Sequence, residues 1–195
     1  MHPTLRIIVV CAIAIGVAHL LDPWAFTELA REGVYGNDRD RLLRIVGYYP
    51  TWIAMAIAFW LHTRDRRHAL ILGLVPGLGG LAAEVLKLLF RRERPGPHDG
   101  EYVFRAFTDQ PWSTKGLGLP SSHALVAFTG AFVLCRLFPR AWPIWILLAA
   151  GNAMTRVQAE AHFLSDVTVA AVAGFAVAML SWQKWGRRSE DAPQG

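Results

Sequence analysis

Apolar residues gather in six runs, 5–21, 45–61, 69–90, 124–137, 142–154 and 163–182, separated by short polar stretches. A membrane-spanning helix needs about 20 such residues, with a lower limit near 17. Several runs are short by themselves, and the third and sixth carry Glu84, Lys87 and Asp166, so a buried, all-helical soluble core is the alternative to weigh. Two features favour spanning. Charged turns such as HTRDRRH (62–68) and RLFPRAW (136–142) separate the runs, and aromatic residues cluster near the run ends. Tyr48, Tyr49, Trp52, Trp60, Trp142, Trp145, Trp182 and Trp185 stand where amphipathic rings meet lipid headgroups. The pattern predicts an all-α fold, a six-transmembrane helix bundle.

Between the first two runs, residues 22–44 are too charged to cross. They read as an interfacial amphipathic segment between helices 1 and 2, opened by a helix start at Asp22-Pro23. No small-x-small cleavage site follows the first run, so it is expected to stay as a helix. Residues 1–188 form one membrane-embedded domain in this reading, and 189–195 a disordered polar tail. Gly77, Gly79 and Ala82 match GxGxxA, but no strand precedes them. Small residues that let helices approach closely account better for that stretch.

Composition agrees with a membrane. Hydrophobic residues make up 53% of the 195, with eight Trp, against about 45–50% apolar in a soluble domain. Cys11 and Cys135 both sit inside apolar runs, which implies neither a disulfide framework nor a zinc site. The net charge of +5 comes from short basic clusters between apolar runs, so no nucleic-acid partner is expected.

Numbering the crossings puts the third connection, 91–123, and the fifth, 155–162, on one membrane face. The sequence KLLFRRERP (87–95) leads into the first of these. Lys87, Arg91 and Arg94 are spaced i, i+4 and i+7, so one helical face would carry three cations. Pro95 disfavours helix at Arg94 and turns it inward. Arg91 and Arg92 suit snorkelling to headgroups, whereas Lys87 lies a full turn deeper. Next comes GLPSSHAL (118–125), in which Ser121 or Ser122 is a helix N-cap, part of a reactive site, or both. Across the fifth connection stand Arg156, His162 and Asp166, and the last two, four apart and hence on one helical face, have the spacing at which a carboxylate can orient an imidazole. Cations around a helix N-terminus describe an anion site, most simply for phosphate. The histidines can supply a nucleophile and a general acid. With no HExxH, and with His62 and His68 on the other face, neither a metal nor another cofactor is expected.

These three blocks resemble the type 2 phosphatidic acid phosphatase superfamily, in its membrane-embedded lipid phosphatase branch. The family pattern is Lys-x6-Arg-Pro, then Pro-Ser-Gly-His, then Ser-Arg-x5-His-x3-Asp. Here they read Lys87…Arg94-Pro95, Pro120-Ser121-Ser122-His123 and Thr155-Arg156…His162…Asp166. The resemblance implies that His162 attacks phosphorus to give a phosphohistidine, with Asp166 orienting it. It implies that His123 protonates the leaving oxygen and later activates water. Lys87, Arg94, Arg156 and Ser121, with backbone N–H groups near Ser122, would hold the phosphoryl oxygens. Two positions depart from the pattern. Ser122 replaces a Gly that allows close approach and positive φ, and Thr155 replaces Ser but keeps its hydroxyl.

The expected activity is metal-independent hydrolysis of a phosphate monoester or diphosphate on a lipid headgroup. Candidate substrates are undecaprenyl diphosphate, phosphatidylglycerol phosphate, phosphatidic acid and lipid A phosphate. A phosphotransferase between lipids is the alternative, followed by a non-enzymatic transporter or scaffold with a lapsed site. A Ser–His–Asp hydrolase using Ser121 or Ser122 would leave Lys87, Arg94 and Arg156 unexplained. Lys and Arg divide almost evenly between the two faces once the proposed ligands are set aside, so charge does not orient the bundle. The resemblance implies a bacterial inner membrane with the site facing the periplasm or exterior.

Overall fold

The computed structural model describes residues 3–186, so the expected polar tail, 189–195, lies outside the described residues. Seven α-helices follow one another: α1 (Pro3–Leu29), α2 (Asp38–Val46), α3 (Tyr49–Thr63), α4 (Arg66–Phe90), α5 (Ser122–Leu137), α6 (Trp142–Gln158) and α7 (Leu164–Trp185). Among the described residues the fold is all-α, with only isolated β-bridges, Arg92 to Phe104 and Glu93 to Leu117, in the long α4–α5 connection.

α5 is the central helix, packed against α4, α6 and α7 and buried along most of its length by Ala124, Leu125, Ala127, Phe128, Ala131 and Val133. α1 lies outermost, with Leu5, Ile8, Val10, Ile13 and Leu20 exposed. Such a surface would be costly in water and is neutral against lipid tails. Close approach explains the glycines of the GxGxxA stretch. A Cβ on Gly79 would lie 2.5 Å from Thr129 Oγ1, and one on Gly77 would lie 2.8 Å from the Tyr49 ring.

Three helices, α1, α4 and α7, are long and apolar enough to cross a membrane; α2 and α3, bent by 72° at their junction, make a fourth span if taken together. α5 and α6, at 16 and 17 residues, fall short by length. α5 needs no long lipid-facing surface, because other helices surround it.

Three expectations change. The Asp22-Pro23 pair does not start a helix. α1 runs through it to Leu29, and the amphipathic piece is the shorter α2, capped by Asn37. Proline inside a helix costs about 3 kcal/mol, and tertiary bonds from the buried Asp22 to α7 oppose that cost. Trp52 is not an interfacial ring. It is 2% exposed and donates its indole N–H to the Val46 carbonyl at 2.9 Å, tying together the α2–α3 bend. Nor does α4 carry three cations on one face, because it ends at Phe90, where Arg91 turns left-handed with φ 55°.

Candidate active site

Four structural pieces meet at one end of the bundle: the end of α4 with the connection after it, the start of α5, the end of α6 and the start of α7. His162 and Asp166 were expected on one helical face, but α7 begins only at Leu164. His162 therefore precedes the helix while Asp166 sits in its first turn. Asp166 Oδ2 accepts the Phe163 N–H at 2.9 Å and lies 3.5 Å from His162 Nδ1. The His162 Nδ1 is also 2.9 Å from the Gly118 carbonyl, which makes Nδ1 the protonated nitrogen and leaves Nε2 with its lone pair. His162 is 2% exposed. Burial pushes its imidazole from the ordinary 6.5 down to about 4; Asp166 opposes that shift, and Arg156 and Arg94 add to it.

At the end of α4, Lys87 is buried. Its ammonium donates to Glu84 Oε1 at 3.0 Å and to the Ser122 hydroxyl, which itself donates to Glu84 Oε1 at 2.6 Å. Ser122, the departure from the expected glycine, lies in the first turn of α5 with ordinary helical backbone. No positive φ is needed there, so serine fits without strain. Ser121 is the N-cap, its hydroxyl accepting the Ala124 N–H, and its own N–H donates to the Asp166 carbonyl at 3.3 Å. Neither hydroxyl hydrogen-bonds a histidine among the described residues.

Arg91 and Arg92 do not snorkel; both are buried. Arg91 donates to the carbonyls of Arg105, Ala106, Asp109 and Pro111, and so braces the α4–α5 connection. Arg92 pairs with Asp166 Oδ1 at 2.5 Å. Arg94 turns inward, held by its N–H on the Gly116 carbonyl at 3.0 Å. Burial and the neighbouring Arg156 pull its guanidinium below the ordinary value, opposed by Asp166 and Glu84. Arg156, at the end of α6, donates to the Tyr35 hydroxyl at 2.7 Å. The Nε groups of Arg94 and Arg156 are both buried without a hydrogen-bond partner. His123 stands within electrostatic reach of Arg156, His162 and Lys87, under the α2–α3 junction, where a Cβ on Gly47 would come within 2.8 Å of its carbonyl. Thr155 Oγ1 is turned to the Asn152 carbonyl at 2.8 Å and away from this cluster.

All eight expected site residues, Lys87, Arg94, Ser121, Ser122, His123, Arg156, His162 and Asp166, therefore belong to one end of the bundle. Five neighbours were missed: Asp22, Tyr35, Glu84, Arg92 and Gly118. Three arginines follow Phe90 within four positions, and nothing in their order says which one meets Asp166. Glu84 carried a signal, as a carboxylate one turn from Lys87 in an apolar run. Gly118 carried none.

The PAP2 superfamily profile matches residues 68–190, more than half of the chain. A lipid A 1-phosphatase of Rhizobium etli is 39% identical over 90 residues, which is 45% of this chain and 38% of that protein. The match thus spans well under half of the relative's length. The crystal structure of a transmembrane PAP2-type phosphatidylglycerolphosphate phosphatase from Bacillus subtilis superposes with a TM-score of 0.67 at 18% identity, over 96% of this chain and 99% of that one. At that identity the likeness is one of fold.

Proposed function

The chain belongs to the PAP2 superfamily, and from that premise we propose that it is an integral membrane phosphatase removing a phosphoryl group from a lipid headgroup. The observation that carries this reading is a buried imidazole beside two guanidiniums that each keep a buried Nε–H without a partner. The His162 Nδ1–H is committed to Gly118 and Asp166, while Arg94 and Arg156 each hold a buried N–H without a partner. A phosphoryl group supplies the oxygens those donors lack, and its negative charge relieves the mutual repulsion of the two cations.

In this mechanism the Nε2 lone pair of His162 attacks phosphorus as the bond to the ester or bridging oxygen breaks. His123 gives its proton to that leaving oxygen. His123 then takes a proton from water, whose oxygen attacks phosphorus and breaks the P–N bond, returning neutral His162 and releasing phosphate. Lys87, Arg94, Arg156, Ser121 and the open N–H groups in the first turn of α5 hold the equatorial oxygens, whose charge they stabilise without a metal. Asp166 holds the tautomer and balances the charge that develops on the imidazole.

The six helices α1 and α3–α7 cross the membrane, with α2 at the interface. The site opens to the periplasm or exterior of a bacterial inner membrane, where a headgroup can reach the cations while its tails stay in lipid. The names of the two relatives make lipid A phosphate and phosphatidylglycerol phosphate the first substrates to test, ahead of undecaprenyl diphosphate and phosphatidic acid.

The test is phosphate release from these four lipids in EDTA, by wild type and His162→Ala. Release by the wild type and none by the variant is expected, with vanadate inhibiting. Loss of all wild-type release in EDTA would overturn the metal-free mechanism, and full activity in the variant would overturn the nucleophile. No phosphate release without an acceptor lipid, with phosphorylated acceptor forming once one is added, would favour the phosphotransferase.

A further inference from the structure

Behind Asp166, on the side away from His162, lies an ionic layer that the phosphoryl chemistry does not use. Asp22, from α1, is 1% exposed. Its Oδ1 accepts the Ser165 N–H at 2.8 Å, and its Oδ2 accepts the Ser165 hydroxyl and, at 2.5 Å, the Tyr102 hydroxyl. It thereby satisfies an open N–H in the first turn of α7, from a different helix. The Ser165 oxygen, its own proton given to Asp22, accepts from Arg92 Nη2 at 2.7 Å. The same Nη2 reaches Asp166 Oδ1. Arg92 Nη1 meets His19 Nε2 at 3.3 Å. Because a guanidinium only donates, His19 must carry its proton on Nδ1, which lies 2.9 Å from the Ile15 carbonyl. The rings of Tyr102 and Phe163 each lie 4.9 Å from the guanidinium, whose Nε is buried without a hydrogen-bond partner. One buried cation thus pairs directly with Asp166 and is linked through the Ser165 hydroxyl to a second buried carboxylate, Asp22, while Asp166 also faces the imidazole.

We infer that Asp22 and Arg92 are positioning residues for the Asp166–His162 pair: Asp22 fixes Arg92 through Ser165, and Arg92 divides Asp166 between itself and the imidazole. The inference rests on the phosphatase reading above. A buried carboxylate facing only His162 would draw a proton onto the ring and silence the nucleophile. Arg92 takes up part of that charge, and Asp22 keeps Arg92 from drawing Asp166 away. The charged groups facing His162 are Asp166 from α7, Arg156 from α6, Arg94 from the α4–α5 connection and His123 from α5. Arg92, Asp22 and His19 stand behind Asp166.

The test is the pH dependence of kcat/KM for Arg92→Gln, Asp22→Asn and the double variant, in full-length protein on a lipid phosphate that the wild type hydrolyses. Removing the cation makes the imidazole easier to protonate, so Arg92→Gln is expected to move the acid limb up by about one pH unit. Asp22→Asn is expected to lower kcat by about tenfold with KM within about twofold, and in the Arg92→Gln background to pull the limb back down. A purely structural role would lower the thermal midpoint and leave every limb where the wild type has it, which would overturn the inference. If the charge variants do not fold, Ser165→Ala removes only the linking hydroxyl. A fall in its kcat at constant KM is expected, and an unchanged kcat would overturn the inference. No release by the wild type from any lipid phosphate would instead overturn the phosphatase reading itself.

Discussion

At Gly118 a methyl group would lie 2.9 Å from Asp166 Oδ2 and 3.1 Å from the Glu93 carbonyl. Even alanine must therefore displace the carboxylate or the strand-like turn that presents the His162 acceptor. Gly118→Ala is expected to lower kcat by about 10- to 100-fold, because even a small misplacement of the proposed nucleophile is costly. Steady-state phosphate release beside an unchanged helical circular dichroism spectrum checks it. His162 gives the pH counterpart. In the proposed mechanism attack needs the neutral ring, and burial lowers its pKa to about 4, so the acid limb of kcat/KM should fall near pH 4 and not near 6.5. Stability declines as pH drops from about 6.5 toward 4, because the unfolded chain takes up a proton there that the folded chain refuses. Equilibrium unfolding at pH 7 and pH 5 measures it. The residues that gather at this end of the bundle were legible because the phosphate chemistry proposed for them needs cations, imidazoles and a helix N-terminus at spacings the chain displays. Gly118 and Arg92 were not, since one acts through a carbonyl and the other is one arginine among three.

α4 and α5 show how far apolar patterning reaches at the scale of whole helices. The runs located α4 through α7 within a few residues, because a helix buried in lipid or in its neighbours must be apolar on most faces. Patterning could not locate helix ends set by tertiary bonds. α1 continues past Pro23 where Asp22 docks on α7, and α4 stops at Arg91, whose guanidinium is claimed by four carbonyls of the following connection. The bend between α2 and α3 was hidden inside one apolar run. The close α4–α5 contact yields a prediction at this scale. Valine at Gly79 would drive its branch into Thr129 and Leu125, so Gly79→Val is expected to destabilise the bundle by about 1–3 kcal/mol. A lower thermal midpoint in detergent, with the His162 pH limb unmoved, would separate this packing defect from damage to the site.

For the molecule as a whole, sidedness is the property that charge counting left open and the site makes testable. Every group proposed to touch phosphate lies at the end of the bundle formed by the α4–α5 and α6–α7 connections, while the α5–α6 turn at Pro139–Ala141 marks the opposite end. A lipid headgroup exposed to the periplasm or exterior can reach the first end only if that end faces outward. Lys115, in the α4–α5 connection, and Arg140, in the α5–α6 turn, are both exposed and belong to neither the site nor the core. The chain's two thiols, Cys11 and Cys135, are part-buried and free. In a background with both changed to serine, Lys115→Cys is expected to react with a membrane-impermeant maleimide in intact cells. Arg140→Cys should react only after the membrane is permeabilised. The reverse pattern would place the site in the cytoplasm, and a substrate headgroup would then have to be presented from the inner leaflet.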